Sequence, residues 1–304
     1  MPFSMEYTHL RPSLPTRTSR LNSAPLQMKL TALQQNFSLP TLLLIGASFQ
    51  CFLFMLPIPA IYTVSPAFFL LLVRTIETLL ITYHYIPNPY LKNALMKKST
   101  AQPMDLKGNF DGPGKQKVAV MMLGAKSNHP LGIFEPKFGK VGGFLRKMTQ
   151  ALNGGADQEN GFLGQSAVTR RDANGATEQI FISYWRSLAD IHAFAYSPTH
   201  LEAWRWWNSN IKDLDHVGIM HEVYEADAGM WESVYVNFQP TLLGNTTYLK
   251  REGALVGGEV AEEWVSPLLD ANRGKLRTSN GRRGLGDRKE DVEMVYGNGK
   301  EGKL

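Results

Sequence analysis

The side chains best suited to chemistry concentrate in one stretch, residues 183–238. This stretch holds five of the six tryptophans, together with His221, Tyr235 and Asn237. Imidazole, phenol and amide groups can transfer protons or donate hydrogen bonds, and aromatic side chains commonly line apolar pockets. The concentration therefore indicates either a tryptophan-rich core or the wall of a ligand pocket.

The spacing within residues 230–238 favours the pocket. In a strand, alternation would place Trp231, Ser233, Tyr235 and Asn237 on one face. Such a mixture suits the wall of an apolar pocket with a few polar anchors better than the packing surface of a helix. The predicted lining consists of Asn128, Tyr184, Trp185, Trp204, Trp207 and Trp231.

Two histidines are candidates for proton transfer. His129 follows Asn128 in a loop with Pro and Gly, after the first predicted strand, and loops at sheet ends often carry sites. His221 is adjacent to Glu222, but alternation sends neighbouring strand residues to opposite faces, so the two cannot simply pair. The alternatives are a turn-shaping role for His129 and a hydrogen-bonded core position for His221.

Local spacing gives no support to a metal or nucleotide site. His216 and His221 are five apart, which places them on opposite strand faces, and Pro198 separates His192 from His200. No pair of local ligands results, and no Rossmann glycine pattern or phosphate loop occurs.

The elements that must position these residues follow an alternating order. Strand periodicity at 117–123 is followed by a glycine-rich helix at 135–152, and the turn at Asn174 and Gly175 predicts a hairpin. Ser187 and Thr199 resemble helix starts on either side of Pro198, which predicts a helix in two pieces. Strand periodicity returns at 216–226 and 230–238.

This order predicts an α+β, ferredoxin-like domain over residues 117–248, with helices on one face of an antiparallel sheet. In the second helical piece, 100° per residue places Trp206 opposite a broad face. That face consists of His200, Leu201, Trp204, Trp207, Asn208 and Ile211. Because the strands have apolar residues on both sides, we expect a second copy of the chain to cover the other sheet face, giving a dimeric α+β barrel.

Residues 39–91 form the most hydrophobic segment, and their only charges are Arg74 and Glu77. A bilayer core needs about 20 apolar residues per helix, so the segment accommodates helices at 41–62 and 66–86. We expect an N-terminal transmembrane helical hairpin, as two full spans or a shallow re-entrant insertion. A buried hairpin in a soluble protein is the alternative.

Charge distribution points to a membrane surface rather than to nucleic acid. Residues 1–116 carry ten Lys and Arg against four Asp and Glu, whereas residues 117–248 carry eleven against thirteen. The positive excess beside the apolar segment suits anionic lipid and places both flanks in the cytoplasm. We expect the protein to be anchored in the endoplasmic reticulum membrane. The single Cys51 excludes an intrachain disulfide.

The remaining segments lack apolar periodicity. We expect a disordered basic leader at 1–38, where prolines disfavour the amphipathic helix of a mitochondrial transit peptide. Residues 92–116 are predicted to be a linker. Residues 249–304 contain ten Gly and twenty-one charges, which predicts a disordered tail.

Several blocks in order resemble a fungal family of secondary-metabolite monooxygenase-like proteins, of the antibiotic-biosynthesis monooxygenase type known from the fumagillin pathway. The blocks are YIPNPYLKNALMKKSTAQ, GAKSNHPLGIFEPKF, GFLGQSA, SYWRSLADIHAFAYSPTHLEAWRWWN and VGIMHEVYEADAGMWESVYVNF. The likeness covers residues 39–238.

The resemblance implies a small oxygenase that works without metal or flavin. The substrate, a hydrophobic polyketide or terpenoid intermediate, would lose a proton and react with O2 in a dry pocket. His129 and His221 are then the candidate bases, and Tyr235 and Asn237 the candidate donors to developing negative charge. The alternatives are a haem enzyme with His221 or His129 as axial ligand, and a membrane-tethered carrier of a lipid-like ligand.

Overall fold

The computed structural model describes residues 7–10, 34, 36–154, 160–256 and 259–286. Most of the predicted leader and residues 287–304 of the predicted tail lie outside these ranges. The described chain contains two apolar helices, a four-stranded sheet with helices on one face, and a C-terminal set of short strands.

The apolar segment forms two helices, α1 (Leu39–Met55) and α2 (Ala60–Thr82). Ser38 caps α1 by accepting a hydrogen bond from the Thr41 amide at 3.2 Å. Pro57 and Pro59 lie in the break between the helices, as expected of residues that cannot continue an α-helix. The predicted second helix start at Pro66 is wrong: Pro66 lies inside α2, where it removes a single backbone bond.

Neither apolar helix has a buried residue. At 1.5 Å per residue, α2 is about 34 Å long and α1 about 26 Å. Among the described residues, α2 is the helix long and apolar enough to cross a membrane. Arg74 and Glu77 face each other one helical turn apart, at 3.6 Å.

The main sheet has the predicted ferredoxin-like topology. After a short strand, β1 (Ser99–Ala101), the chain forms β2 (Val118–Ser127), α3 (Pro136–Gly154), β3 (Phe162–Arg171) and β4 (Thr177–Trp185). It continues through α4 (Leu188–Ala195), α5 (Pro198–Asn210) and β5 (Val217–Ala226). The strand order is β3-β4-β2-β5, with every pair antiparallel.

Turn and cap chemistry explains the local structure. Gly175 has φ 85° in the β3–β4 turn, and the Asp172 carboxylate accepts the Asn174 and Ala176 amides. Ser187 caps α4 as predicted. The predicted start at Thr199 is wrong because Ser197 caps α5 and Pro198 takes the first helical position, where proline is favoured.

The helix-covered face of the sheet holds the aromatic core. Trp185 is almost fully buried, packs on Phe162 and Phe194, and donates to the Ser183 hydroxyl at 2.9 Å. The predicted inner face of α5 is partly wrong. Trp206 and Trp207 both pack into the core, whereas Trp204 is 56% exposed. Ile211 and Asn208 are exposed as well.

The predicted linker and tail fold against each other. β1 is fully buried and pairs with β8 (Leu268–Asp270), and residues 7–10 pair with the other edge of β8. β6 (Tyr248–Val256) and β7 (Glu259–Val265) form a hairpin, and α6 (Ser279–Arg282) follows. Disorder is therefore a wrong prediction for residues 7–10, 249–256 and 259–286.

Residues 230–238 do not form the predicted continuous strand. They make isolated antiparallel bridges, Tyr235 with Ser99 and Phe238 with Leu95. Asn237 has φ 52°, a left-handed conformation that interrupts strand geometry and that Asn tolerates better than most residues. The segment runs over one end of the sheet, on the face opposite the helices, together with β1.

The rest of that sheet face is uncovered and apolar. Strand register places Met122, Ile180, Ile182 and Val168 on it, with Met220 packed over Gly124. Val168 is 46% exposed and Met220 41%. Apolar residues on both faces of the strands were expected, and the uncovered face is the one predicted to meet a second copy.

Candidate active site

A cavity of about 450 Å³ lies between the sheet and the segment that covers its end. Val118 and Val120 of β2 form its floor, with Tyr184 and Tyr224 on the neighbouring strands. Trp231 to Tyr235 form the opposite wall, together with Leu242 and Leu243. The volume lies in the range of ordinary small-molecule sites.

Strand register fixes the two tyrosines on either side of Val120. Tyr184 and Tyr224 are both the Cα partners of Val120, one on each side. All three side chains therefore point to the same face, and the two tyrosine Cα atoms are about 10 Å apart across two strand spacings. A flat ligand above Val120 would lie between two phenol groups.

Tyr235 is buried and both of its hydrogen-bonding functions are occupied. Its hydroxyl donates to the Thr241 carbonyl at 3.0 Å and accepts the Gly244 amide at 2.8 Å. Burial raises the pKa of Tyr235 to about 12, against the opposing effect of the Gly244 amide. The Tyr235 ring therefore lines the cavity, while its hydroxyl holds the turn at 241–245.

Tyr184 has a different environment. Burial raises the pKa of its phenol, and a hydrogen-bonding contribution from the Leu243 backbone amide partly offsets this effect. Among the described residues, no acceptor takes the Tyr184 hydroxyl proton. Tyr184 can therefore donate a hydrogen bond to a ligand in the cavity, which Tyr235 cannot do without breaking its bond to Thr241.

Tyr224 is paired with a carboxylate. Its hydroxyl donates to the Glu222 Oε2 atom at 2.6 Å, and this bond raises the pKa of Tyr224. Glu222 and Tyr224 alternate with His221 and Val223 along β5, so both lie on the cavity side of the sheet. A Tyr–Glu pair of this kind can accept a proton at the phenol oxygen while the phenol proton moves to the carboxylate.

The second carboxylate near the cavity, Glu232, is ionised and its charge is balanced by Arg282. Glu232 accepts hydrogen bonds from Ser279 at 2.6 Å and from the Arg282 Nε atom at 2.8 Å. Burial opposes ionisation, but these bonds and the Arg282 charge keep the pKa of Glu232 below its usual value. Arg282 is buried and also donates to the Leu276 and Arg277 carbonyls. This pair anchors the cavity wall to the C-terminal segment.

His129 and Asn128 lie at the opposite end of the sheet. They follow the last residue of β2, whereas the cavity lies at its first residues, about 30 Å away along the strand. The His129 ring contacts the His216 ring edge-to-face, with centroids 5.5 Å apart, and its Nδ1 atom accepts the Leu131 amide at 3.1 Å. The predicted location of both residues at the pocket is therefore wrong.

His216, not His129, is the centre of the polar cluster at that end. Its ring nitrogens lie 3.2 Å from Asp215 and 3.2 Å from Glu135. Glu135 also caps α3 by accepting the Lys137 and Phe138 amides. Contact with Asp215 and then with Glu135 raises the pKa of His216, although burial opposes the rise. This cluster stabilises a loop junction and lies far from the cavity.

His221 and Asn237 also lie outside the cavity lining. His221 is the partner of Leu123 on the helix-side face of β5 and is exposed there. Asn237 is exposed, and its backbone amide donates to the Leu95 carbonyl at 2.9 Å. Of the four predicted catalytic residues, only Tyr235 contributes to the cavity.

Two of the six residues predicted to line the pocket do so, Tyr184 and Trp231. Trp231 donates from its indole nitrogen to the Gln116 carbonyl at 2.8 Å. Trp185 and Trp207 belong to the helix-side core, and Trp204 lies on the surface. Tyr224 was missed, although its alternation with His221 identifies the strand face that it occupies.

Within the described residues, no group of three or more His, Cys, Asp or Glu side chains is arranged to hold a metal ion. The described titratable side chains that line the cavity are Tyr184, Tyr224, Glu232 and Tyr235. The haem ligands considered from sequence, His129 and His221, do not face the cavity.

Comparison with known proteins identifies the family. The model of the monooxygenase af470-like family matches residues 118–243, which includes the sheet, its helices and the cavity wall. Monooxygenase af470 from Aspergillus fumigatus is 31% identical over 264 residues, covering 84% of this chain and 90% of the relative.

Solved structures resemble parts of the chain at low identity. An aldoxime dehydratase in complex with butyraldoxime matches 56% of this chain at 15% identity and a TM-score of 0.34, and the match spans only 39% of the dehydratase. SnoaB, a cofactor-independent oxygenase from Streptomyces nogalater, matches 35% of this chain and 90% of its own length, at 13% identity and a TM-score of 0.24.

Proposed function

This chain belongs to the monooxygenase af470-like family and is a monooxygenase, and we propose that it oxidises a hydrophobic secondary metabolite without metal or flavin. The observation that carries this proposal is the cavity between Val120 and Trp231. It combines apolar walls with a phenol donor and a phenol–carboxylate pair. A polyketide or terpenoid intermediate that contains an acidic methylene group fits this chemistry.

The proposed reaction needs no external reductant. Removal of a proton from the methylene group gives a carbanion, which is electron-rich enough to react with O2 and forms a carbon–oxygen bond. The resulting hydroperoxide loses water as its O–O bond breaks. The balance is CH2 + O2 giving C=O + H2O, so the substrate supplies all electrons and one oxygen atom enters the product.

The cavity offers a group for each proton and charge in this sequence. Tyr224 accepts the substrate proton as its own proton passes to Glu222. The Tyr184 hydroxyl donates a hydrogen bond to the oxygen on which the carbanion charge is delocalised. Val118, Val120 and Trp231 keep that charge in an apolar environment, in which hydrogen bonds to it are stronger than in water.

A second copy of the chain would complete the site. The uncovered sheet face that carries Met122, Ile180 and Met220 is continuous with the row of Tyr184 and Tyr224. Packing two such faces together would bury this apolar surface and remove Glu222 from bulk water. We therefore propose a homodimer. The mass of the detergent-solubilised protein should correspond to two chains, and Met220→Asp should reduce this mass to that of one chain.

The apolar helices would hold the enzyme on a membrane. α2 is long enough to cross the bilayer core, and its Thr75, Thr78 and Thr82 hydroxyls donate to carbonyls one turn back, so these three hydroxyls are paired within the helix. We propose that the folded domain lies in the cytoplasm, at the endoplasmic reticulum. A lipophilic substrate would reach it through the bilayer.

The test uses the full-length protein in mild detergent. A visible spectrum is recorded first, because an intense Soret band would overturn the cofactor-free proposal. Oxygen uptake is then measured with polyketide-like phenols that contain an activated methylene group, with isotopically labelled O2 to count the oxygen atoms incorporated.

Three variants test the catalytic roles proposed for Tyr224, Glu222 and Tyr184. Tyr224→Phe and Glu222→Gln should each lower turnover by about 100-fold, the low end for general base catalysis. Tyr184→Phe should lower it by a similar factor, on the order of 100-fold. Tyr196→Phe is the matched control because Tyr196 is exposed and distant from the cavity. Tight substrate binding without oxygen uptake in the wild type would favour a carrier.

A further inference from the structure

An exposed apolar strip lies beside the cavity, where the chain leaves the apolar helices. It is formed by two segments that pair antiparallel, residues 90–96 and 234–238. Its members are Tyr90, Leu91, Met96, Val234, Val236 and Phe238. Val236 is 53% exposed and Phe238 54%, which is unusual for large apolar residues grouped on one surface.

Hydrogen bonds hold the strip in place. The Asn237 amide donates to the Leu95 carbonyl, and the Leu95 amide donates to the Phe238 carbonyl, both at 2.9 Å. The Gln239 side chain donates to the Tyr90 carbonyl at 2.7 Å. The apolar side chains are therefore presented by a fixed backbone rather than by a loose connection.

The charges nearest the strip along the chain are lysines, apart from Glu232, which is paired with Arg282. Between residues 78 and 104 the charged residues are Lys92, Lys97 and Lys98, and residues 233–248 carry no charge. Lys92 and Lys97 are exposed. Apolar side chains with flanking lysines, beside an acid that already has a cationic partner, suit the interface of a bilayer that contains anionic lipid. A docking site for a basic protein would need the opposite charge.

Two further observations select lipid as the occupant. The strip begins eight residues after α2 ends at Thr82, so membrane insertion of α2 would place it at the bilayer surface. Val234 belongs both to the strip and to the cavity lining. The lining of the cavity is therefore adjacent to the surface that would contact lipid.

We propose that this strip lies in the membrane interface and opens the cavity toward the bilayer, so that substrate enters from lipid. The inference rests on the proposed membrane anchoring and adds the orientation of the folded domain. It accounts for apolar side chains that neither the fold nor the catalytic proposal uses.

The test places a polarity-sensitive label on single cysteines in a Cys51→Ser background of the full chain. The label is attached at Val236→Cys in the strip, Leu71→Cys in α2, and Glu202→Cys on α5. Each protein is reconstituted into vesicles of phosphatidylcholine and phosphatidylserine, with a quencher on the lipid acyl chains. We expect a blue shift and quenching at positions 71 and 236, and neither at 202.

Each other outcome has a distinct meaning. A quenched label at 71 with an unquenched label at 236 would overturn the strip proposal and leave the anchor. Unquenched labels at both positions would overturn the anchor as well. A blue shift at 236 without lipid quenching would show that a second copy covers the strip, which also overturns the proposal.

A turnover assay distinguishes the entry of substrate into the cavity from the chemical step. Val236→Glu places a negative charge on the strip without changing a residue that lines the cavity. We expect it to slow turnover of substrate dissolved in anionic vesicles and to leave turnover of the same substrate in detergent micelles unchanged. Equal turnover of wild type and Val236→Glu in vesicles would refute entry from lipid.

Discussion

The contrast between Tyr235 and Tyr184 gives the sharpest prediction. Both phenols line the cavity, but the Tyr235 hydroxyl makes hydrogen bonds to Thr241 and Gly244, whereas the Tyr184 proton is available to a ligand. Tyr235→Phe should therefore lower stability, and Tyr184→Phe should lower activity.

The magnitude follows from the contacts. Tyr235→Phe removes two hydrogen bonds from a buried site, each contributing about 1 kcal/mol. The Gly244 amide keeps a second acceptor, the Thr241 carbonyl at 2.9 Å, so no donor is left fully unpaired. We expect a loss of about 2 kcal/mol in the free energy of unfolding. Tyr184→Phe should change it by less, by about 1 kcal/mol or below, because it loses only the contribution of the Leu243 amide.

The assay is urea unfolding in detergent, followed by tryptophan fluorescence, with turnover measured on the same samples. Trp231 lies on the cavity wall, so its emission reports on this region. A Tyr235→Phe protein as stable as the wild type but inactive would refute this assignment and restore Tyr235 as the catalytic donor.

Three further predictions concern stability. Arg282→Gln should cost about 3 kcal/mol because it removes the buried guanidinium that hydrogen-bonds Glu232 and the Leu276 and Arg277 carbonyls. Gly244→Ala should cost about 1–3 kcal/mol, since its Cβ would lie 2.8 Å from the Tyr235 ring. The pKa of His216 is raised above 6.5 in the fold, so its stabilisation is present below pH 6.5 and is lost as pH rises through the folded pKa. Unfolding followed between about pH 6 and 8 should show this fall, and His216→Gln should abolish it.

Each of these has a control on the same chain. Arg170 pairs with Glu178 on the surface, so Arg170→Gln should cost less than about 1 kcal/mol. Nothing lies within 4 Å of a Cβ at Gly142 in α3, so Gly142→Ala should stabilise by roughly 1 kcal/mol. A pH slope that is unchanged in His216→Gln would refute the assignment of this slope to His216.

The predictions that held rest on short-range chemistry. The β3–β4 hairpin follows from the turn at Asn174 and Gly175. The division of the helix into two pieces follows from Pro198. The antiparallel order of β2 to β5 follows once these elements are assigned. Alternation also predicts His221 and Glu222 on opposite strand faces, as the structure has them, because side chains alternate with a strict period of two.

The predictions that failed depended on contacts between distant residues. β1 pairs with β8 across about 170 residues of chain, and no local pattern in either short strand indicates the other. Gly and charged residues predict disorder in the C-terminal region, yet the Arg282 side chain pairs with Glu232, and the Arg282 carbonyl accepts a hydrogen bond from Gln102. A single hydrogen-bonded pair between distant residues leaves no periodic pattern in the sequence from which it could be predicted.

The site was only partly predictable for a related reason. Periodicity shows which residues share a face, but not which end of a sheet is covered. His129 and Tyr184 both lie at strand ends, and only the covering segment at 231–243 makes one end a cavity and leaves the other a loop junction. Alternation predicts a strand over residues 230–238, but the φ of 52° at Asn237 and the isolated bridges exclude a regular ladder there.

The same segment links the cavity to the proposed membrane surface. Tyr235 points inward and Val236 outward, while Glu232 is tied to Arg282 and Gln239 to Tyr90. Because the backbone between these ties is bonded to residues 95–101, the wall cannot open as a flap without breaking several hydrogen bonds. The cavity is therefore preformed, and substrate selection should depend on its volume of about 450 Å³. The 241–245 turn at the cavity edge is fixed as well: Leu242 has a strained φ of 52°, and the Tyr235 and Ser166 hydroxyls hold the turn by hydrogen bonds to its backbone.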